Sequence, residues 1–179
     1  ADSIESGLNL LNRLPVASGF AWVEHETLHM MKKQADDGII AGWHGDGNYA
    51  RTAIMVALWK SQGCRIEPWR ADVAIGAEMV GDELWLSLNA TWPWKGKVIF
   101  DKPRHKVYFN MPMDYARLNQ FPEWFTVEAE KSYQVTLITN EGQKVVTRSG
   151  SDLLNGLKID LIGTEVQPKG MKPLKIKVR

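Results

Sequence analysis

Two short stretches of this chain place chemically able side chains close together. Residues 42–48 read GWHGDGN: three glycines alternate with Trp43, His44, Asp46 and Asn48, and a helical pattern, YARTAIMVALWKSQG, follows at once. His44 can act as acid, base or hydrogen-bond donor near neutral pH. Asp46 can act as base, nucleophile or ligand. Glycine is costly to order, so this density points to a backbone that approaches something closely. The N-terminus of the following helix favours an anion or oxyanion, and Arg51, one turn in, can clamp a carboxylate. The plainer reading is a structural loop, in which Asp46 and Asn48 cap the helix and His44 bonds a carbonyl.

The second stretch is HETLH, residues 25–29, which fits H-E-x-x-H on an expected helix. His25 and His29 at i and i+4 can hold one zinc ion, with Glu26 as general base. No G-x-x-H follows, so the three-histidine form of this motif is absent, and a third ligand must come from elsewhere, with His44, Asp46 or Glu67 the available groups. The alternative is a chance match on a partly exposed helix.

Two further stretches carry weaker signals. In WPWKG (92–96), Trp92 and Trp94 flank a stiffening proline. They form either a sugar-stacking platform or ordinary packing at a sheet edge. The block from Asp101 to Phe125 mixes Arg104, His105, Asp114, Tyr115, Arg117, Asn119, Glu123 and Trp124. It reads as an interface or, by default, as a solvated face with local ion pairs. The Lys-rich end, LKIKVR, reads as an edge strand protected by charge.

These residues need elements to position them. Ser3 can cap a short helix, IESGLNLLNRL, ending before Pro15. Trp22–Ala35 reads as a second helix with Leu28, Met31 and Ala35 as its apolar stripe, stopped by Asp36-Asp37-Gly38. The third spans 49–62, with Asn48 as N-cap, an apolar face of Ala50, Ala53, Ile54, Ala57 and Leu58, and Gly63 to close it. From Cys64 the period changes. ELWLSLNA alternates as a half-buried strand does, and KVIFD, KVYFNM, FTVEA, YQVTLIT, KVVTR, LKIDLIG and LKIKVR follow between turn residues. Asn140-Glu141-Gly142 signals a hairpin. The expected fold is therefore α+β: a helical segment over 1–63, then an antiparallel β-sandwich over 64–179 built from roughly eight or nine strands without intervening helix.

Bulk properties narrow the partners. The net charge of +1 gives no field of one sign to attract nucleic acid or a membrane surface. The longest apolar run, AIMVALW (53–59), is far too short to span a bilayer. Cys64 is the only cysteine, so no intrachain disulfide forms. The first residues lack the basic start and apolar stretch of a signal peptide, although a cleaved signal leaves no trace. Periplasmic, extracellular and cytoplasmic locations all stay open. Three helices with a polar Gly-rich loop make a poor core alone, so they must pack on the β part, on another copy, or on helices outside this chain.

With these segments in view, a family resemblance emerges. GWHGDGNYARTAIMVALWKSQG, then IEPWRADVAIGA, then WKGKVIFDKPRHKVYFNMPMDYARLNQFPEWFTVE resembles the C-terminal end of certain bacterial six-hairpin glycoside hydrolases, which join an (α/α)6 toroid to a β-sandwich. The likeness covers about residues 20–135 and lies in the order of segments more than in any single motif. It implies that the three helices are the last of a ring of twelve and that GWHGDGN faces a sugar cleft. Trp43 would stack on a pyranose, His44 and Asp46 would contact hydroxyls or move protons, Asn48 would bind substrate, and Arg51 would pair with a uronic acid carboxylate. It implies an oligosaccharide or polysaccharide as partner, no cofactor, and either a missing helical domain or a homo-oligomer to cover the helices. Glycosidases usually use two carboxyl groups, and the loop offers one, Asp46, so the chain alone should hydrolyse little. The competing readings are a zinc-dependent peptidase built on HETLH and a non-catalytic carbohydrate-binding module built on Trp92 and Trp94.

Overall fold

The computed structural model describes residues 1–40, 47–115, 121–164 and 174–179. It has the expected α+β order, with helices first and two antiparallel sheets after them.

Helix α1 (Asp2–Arg13) carries Asp2 and Glu5 in its first turn and Arg13 in its last, which complements the helix dipole. Ile4, Leu8 and Leu11 recur at helical spacing and are buried. Ser3 lies inside this helix rather than capping it. Pro15 disfavours helix at Leu14, and the chain bends into α2 (Ala17–Met31). This helix starts before the expected Trp22 and stops short of Ala35. Tertiary fit explains the early start: Gly19 leaves room for the Leu11 side chain, which an added Cβ would meet at 2.6 Å. Helix α3 (Asn48–Ser61) follows Gly47, whose φ of 76° takes the cap position, so Asn48 is the first helical residue and not the N-cap. Gln62 and Gly63, at φ 51° and 78°, end the helix as expected of Gly63.

The apolar stripes expected on α2 and α3 face outward. On α2 the buried residues are Val23, Thr27 and Met30, whereas Leu28 is 57% and Met31 40% exposed, and Ala35 lies beyond the helix, exposed. On α3 Thr52, Met55 and Ser61 are buried, while Ala50, Ile54 and Ala57 are exposed and Ala53 and Leu58 half-buried. Each helix is apolar on more than one side, and α1 covers the side that the strongest sequence stripe does not use. The helical core joins Ile4, Leu8, Leu11, Val23, Met30 and Met55, with Phe20 and Trp59 stacked beside it at 5.5 Å between ring centroids. Phe121 and Trp124, from far along the chain, pack on the same cluster.

The β part is a sandwich of unequal sheets. One sheet orders its strands β1 (Arg65–Glu67), β4 (Trp94–Ile99) and β7 (Leu157–Leu161). The other runs β2 (Val73–Val80), β3 (Glu83–Ala90), β8 (Leu174–Val178), β5 (Ser132–Thr139) and β6 (Gly142–Ser149). A single apolar cluster draws on both sheets, with Ile66, Val98, Leu157 and Ile159 from the small sheet and Leu84, Leu86, Leu88, Val135, Ile176 and Val178 from the large one. Asn140 and Glu141 connect β5 to β6, as the turn signal indicated, with Thr139 opposite Gly142.

Four expectations fail here. FTVEA is not a strand: of its residues only Thr126 pairs, in an isolated bridge to Asp101. KVYFNM is not a strand: residues Arg104–Phe109 form α4, bounded by Pro103 and by Asn110 at φ 51°. Over six residues a short apolar run fits either period. A second short helix, α5 (Gly150–Asn155), interrupts the strands, held by a capping box between Ser149 and Asp152. The terminal LKIKVR is not an edge: β8 sits between β3 and β5, with Ile176 and Val178 fully buried. Its lysines emerge on the other face, where Lys177 pairs with Glu83 at 2.7 Å.

Candidate functional site

Trp43, His44 and Asp46 lie outside the described residues, and the structure describes what flanks them. Gly47 enters α3 in the left-handed region, with nothing among the described residues within 4 Å of a Cβ built there. No described side chain caps α3. Its first turn is instead tied to α1. Arg51 Nε donates to Glu5 Oε1 at 2.9 Å, and its Nη2 lies 2.8 Å from Glu5 Oε2 and 3.7 Å from Asp2. The Thr52 hydroxyl donates to Glu5 Oε1 at 2.6 Å. The carboxylate that Arg51 clamps is thus one of this chain's own, and that forked pair fixes where the Gly-rich loop must end.

HETLH lies on α2 as the sequence indicates. His25 and His29 are exposed and Glu26 half-buried, and their donor atoms all fall within 4.8 Å of one another. The two imidazoles meet edge to face, with centroids 4.4 Å apart. A surface groove beside them is lined by His25, Leu28, His29, Met31 and Lys32. Of the expected third ligands, His44 and Asp46 lie outside the described residues. Glu67 is on β1, where it pairs with Arg65 and Lys97, and it does not join the set.

The two tryptophans of WPWKG separate. Trp94 is 3% exposed, and its Nε1 donates to the Pro68 carbonyl at 3.2 Å, so it is core and not a stacking platform. Trp92 is exposed, and so is Trp69 on the facing loop, 76% accessible. Sequence reasoning passed over Trp69. Those loops are joined by a clamp it also passed over. Arg70 pairs with Asp72 and donates to the carbonyls of Pro93 and Trp92 at 2.9 and 2.8 Å. Asp72 in turn accepts from the backbone N–H of Thr91 and Trp92, both at 3.1 Å. The Arg70 hydrogen bond holds the Asp72 carboxyl at about 2, well below the ordinary 3.8. The visible signal was the W-R-x-D spacing in IEPWRAD.

The mixed block after Asp101 is not a purely solvated face. Glu123 is buried and accepts from the His105 backbone N–H at 2.6 Å, while His105 Nδ1 lies 2.7 Å from its other oxygen. Asp114 accepts from the Glu123 N–H at 3.2 Å and from Arg13 at 2.9 Å, and the Asn12 amide donates to the Glu123 carbonyl at 2.6 Å. This network ties α4 to the end of α1. Asp101 lies beside Arg104 at 3.2 Å, and burial raises its carboxyl above the ordinary value although Arg104 pulls the other way. Burial also pushes the Cys64 thiol up, with Asp101 adding to the effect, so this thiol is a packed apolar group rather than a nucleophile. Arg117 and Asn119 lie outside the described residues.

Among the described residues no helix is long and apolar enough to cross a membrane. Compared with family models, with curated proteins and with solved structures, the chain gives no match.

Proposed function

We propose that this chain is the C-terminal part of a carbohydrate-active glycoside hydrolase, in which the helices belong to an α/α ring and the β-sandwich braces it. One observation carries the proposal. Helices α2 and α3 are apolar on two sides: the inner side packs on α1, and the outer presents Leu28, Met31, Ile54 and Ala57 to solvent. A helix apolar on both sides is built to sit between neighbours. In a ring of hairpins each helix has such neighbours, and the loop entering α3 then lies at a rim. There Trp43 would stack on a sugar ring, His44 and Asp46 would contact hydroxyls or move a proton, and Asn48 would border the cleft. Because Arg51 is bound to Glu5, the proposed ligand is an oligosaccharide or polysaccharide with no required uronic acid. Asp46 supplies one carboxyl group, and the second comes from outside this chain.

Affinity electrophoresis of the purified chain, through gels containing neutral or uronic acid polysaccharides, tests this reading. The expected outcome is retardation by at least one polysaccharide that Trp43→Ala and Asp46→Ala each reduce. Retardation indifferent to both substitutions, or none in any gel, overturns it.

A second reading, a non-catalytic carbohydrate-binding module, is supported by the two exposed indoles, Trp69 and Trp92, on loops braced by the Arg70–Asp72 clamp. Its stacking pair differs from the pair expected from WPWKG, because Trp94 is core. In the same gels this reading requires that Trp69→Ala or Trp92→Ala abolish retardation while Asp46→Ala leaves it intact.

A further inference from the structure

We infer that the C-terminal half of α2 carries a surface site for a borderline divalent metal ion, zinc(II) or nickel(II), chelated by His25 and His29 with Glu26 as third donor. Residues at i and i+4 on a helix stand one above the other, about 5–6 Å apart at Cβ. Their imidazoles here are already neighbours, edge to face with centroids 4.4 Å apart. Neither makes a hydrogen bond or ion pair among the described residues, so their ring nitrogens face no competing protein donor there. The donor atoms of His25, Glu26 and His29 lie within 4.8 Å of one another. Two nitrogens bound to one ion at roughly 2.0–2.1 Å sit about 3–3.4 Å apart. Rotation of exposed side chains closes that difference, with the helix backbone unmoved.

The donor set selects the ion. Two imidazoles and a carboxylate suit zinc and nickel, whereas calcium and magnesium prefer all-oxygen shells. The groove beside the pair is walled by Leu28 and Met31, with Lys32 as its one charged member beyond the donors. Three donors from one face leave the remaining positions of the ion to water or to a group from another molecule. The site is therefore a binding site as it stands. Peptide hydrolysis would need a third protein ligand that frees Glu26 to act as base.

The ion should also stabilise the fold, because only the helical chain holds His25 and His29 at this spacing. At a metal concentration about one hundred times Kd, the unfolding temperature should rise by roughly 5–10 °C. The test is isothermal titration of the tag-free chain with zinc sulfate and with nickel chloride, alongside thermal unfolding. One ion per chain is expected. His25→Ala and His29→Ala should each weaken binding at least tenfold and remove the thermal shift, with the helical circular dichroism unchanged. Glu26→Gln should weaken it several-fold. No saturable binding of either ion, or binding that survives the double variant His25→Ala/His29→Ala, overturns the assignment.

Discussion

Asp72 and Glu128 are surface carboxyls with unlike partners and the same consequence. Hydrogen bonds from Arg70 hold Asp72 at about 2, against an ordinary 3.8. Those from Lys106 and Lys131 hold Glu128 at about 2, against an ordinary 4.5. For such a group the unfolded chain takes up a proton first as pH falls, so the stability it contributes is present above its ordinary value and lost on the way down to about 2. Asp101 works in the opposite sense. Burial raises its folded value, so its contribution is greatest in acid and declines as pH rises past the ordinary 3.8. Two lowered groups against one raised predict a net loss of stability between about pH 4.5 and pH 2. Denaturant midpoints at pH 7 and pH 3 measure it, and Asp72→Asn should shrink the difference between them. An Asp72→Asn variant that loses as much to acid as the parent chain would show that the clamp between the Trp69 and Trp92 loops does not form as described.

At the scale of elements, two glycines separate packing from backbone strain. Gly150 opens α5, and a Cβ there would lie 1.9 Å from the Glu128 carbonyl oxygen, with its N–H bound to the Lys131 carbonyl at 2.7 Å. The neighbour is backbone, so it cannot step aside. Gly47 opens α3 at φ 76°, with no described atom within 4 Å of a Cβ placed there. Gly150→Ala should therefore cost at least about 2–3 kcal/mol, whereas Gly47→Ala should cost about 1–2 kcal/mol, the strain of a left-handed alanine. Urea unfolding of both variants checks the order, and equal costs would contradict the close approach at Gly150.

What the sequence made legible follows the same divide. Period two in ELWLSLNA placed Leu84, Leu86 and Leu88 inward because one local pattern settles a strand face. The hairpin at Asn140-Glu141 was legible for a similar local reason. The burial side of α2 and α3 was not, since both helices are apolar on more than one side and only α1 decides which is covered. Nor could WPWKG reveal which indole is core: that follows from Trp94 opening β4 while Trp92 stands before Pro93, outside the strand. LKIKVR looked like an edge because its lysines alternate, and an interior strand whose outer face is solvated alternates in the same way. At the candidate sites, the His25–His29 pairing was readable from spacing alone. The Arg51–Glu5 fork was not, because it joins residues 46 positions apart across two helices.

For the whole molecule, the outer faces of the helices pose a problem of solubility. Leu10 and Leu14 of the α1 end, Leu28 and Met31 of α2, and Ile54 of α3 are all exposed, and a surface of that composition usually belongs to an interface. If the helices are built to sit between neighbours, the isolated chain should self-associate at concentrations of tens of micromolar and bind an apolar dye while still folded. The variant Leu28→Lys/Ile54→Lys should reduce both signals. Because these side chains already face solvent, it should shift stability by no more than about 0.5–1 kcal/mol. Sedimentation of the two proteins, with a urea curve for each, separates the outcomes. Reduced association at unchanged stability marks the outer faces of α2 and α3 as an interface. A loss above about 2 kcal/mol would mean that Leu28 and Ile54 are core after all, and unchanged association would move the interface elsewhere. Either result would remove the observation on which the ring rests.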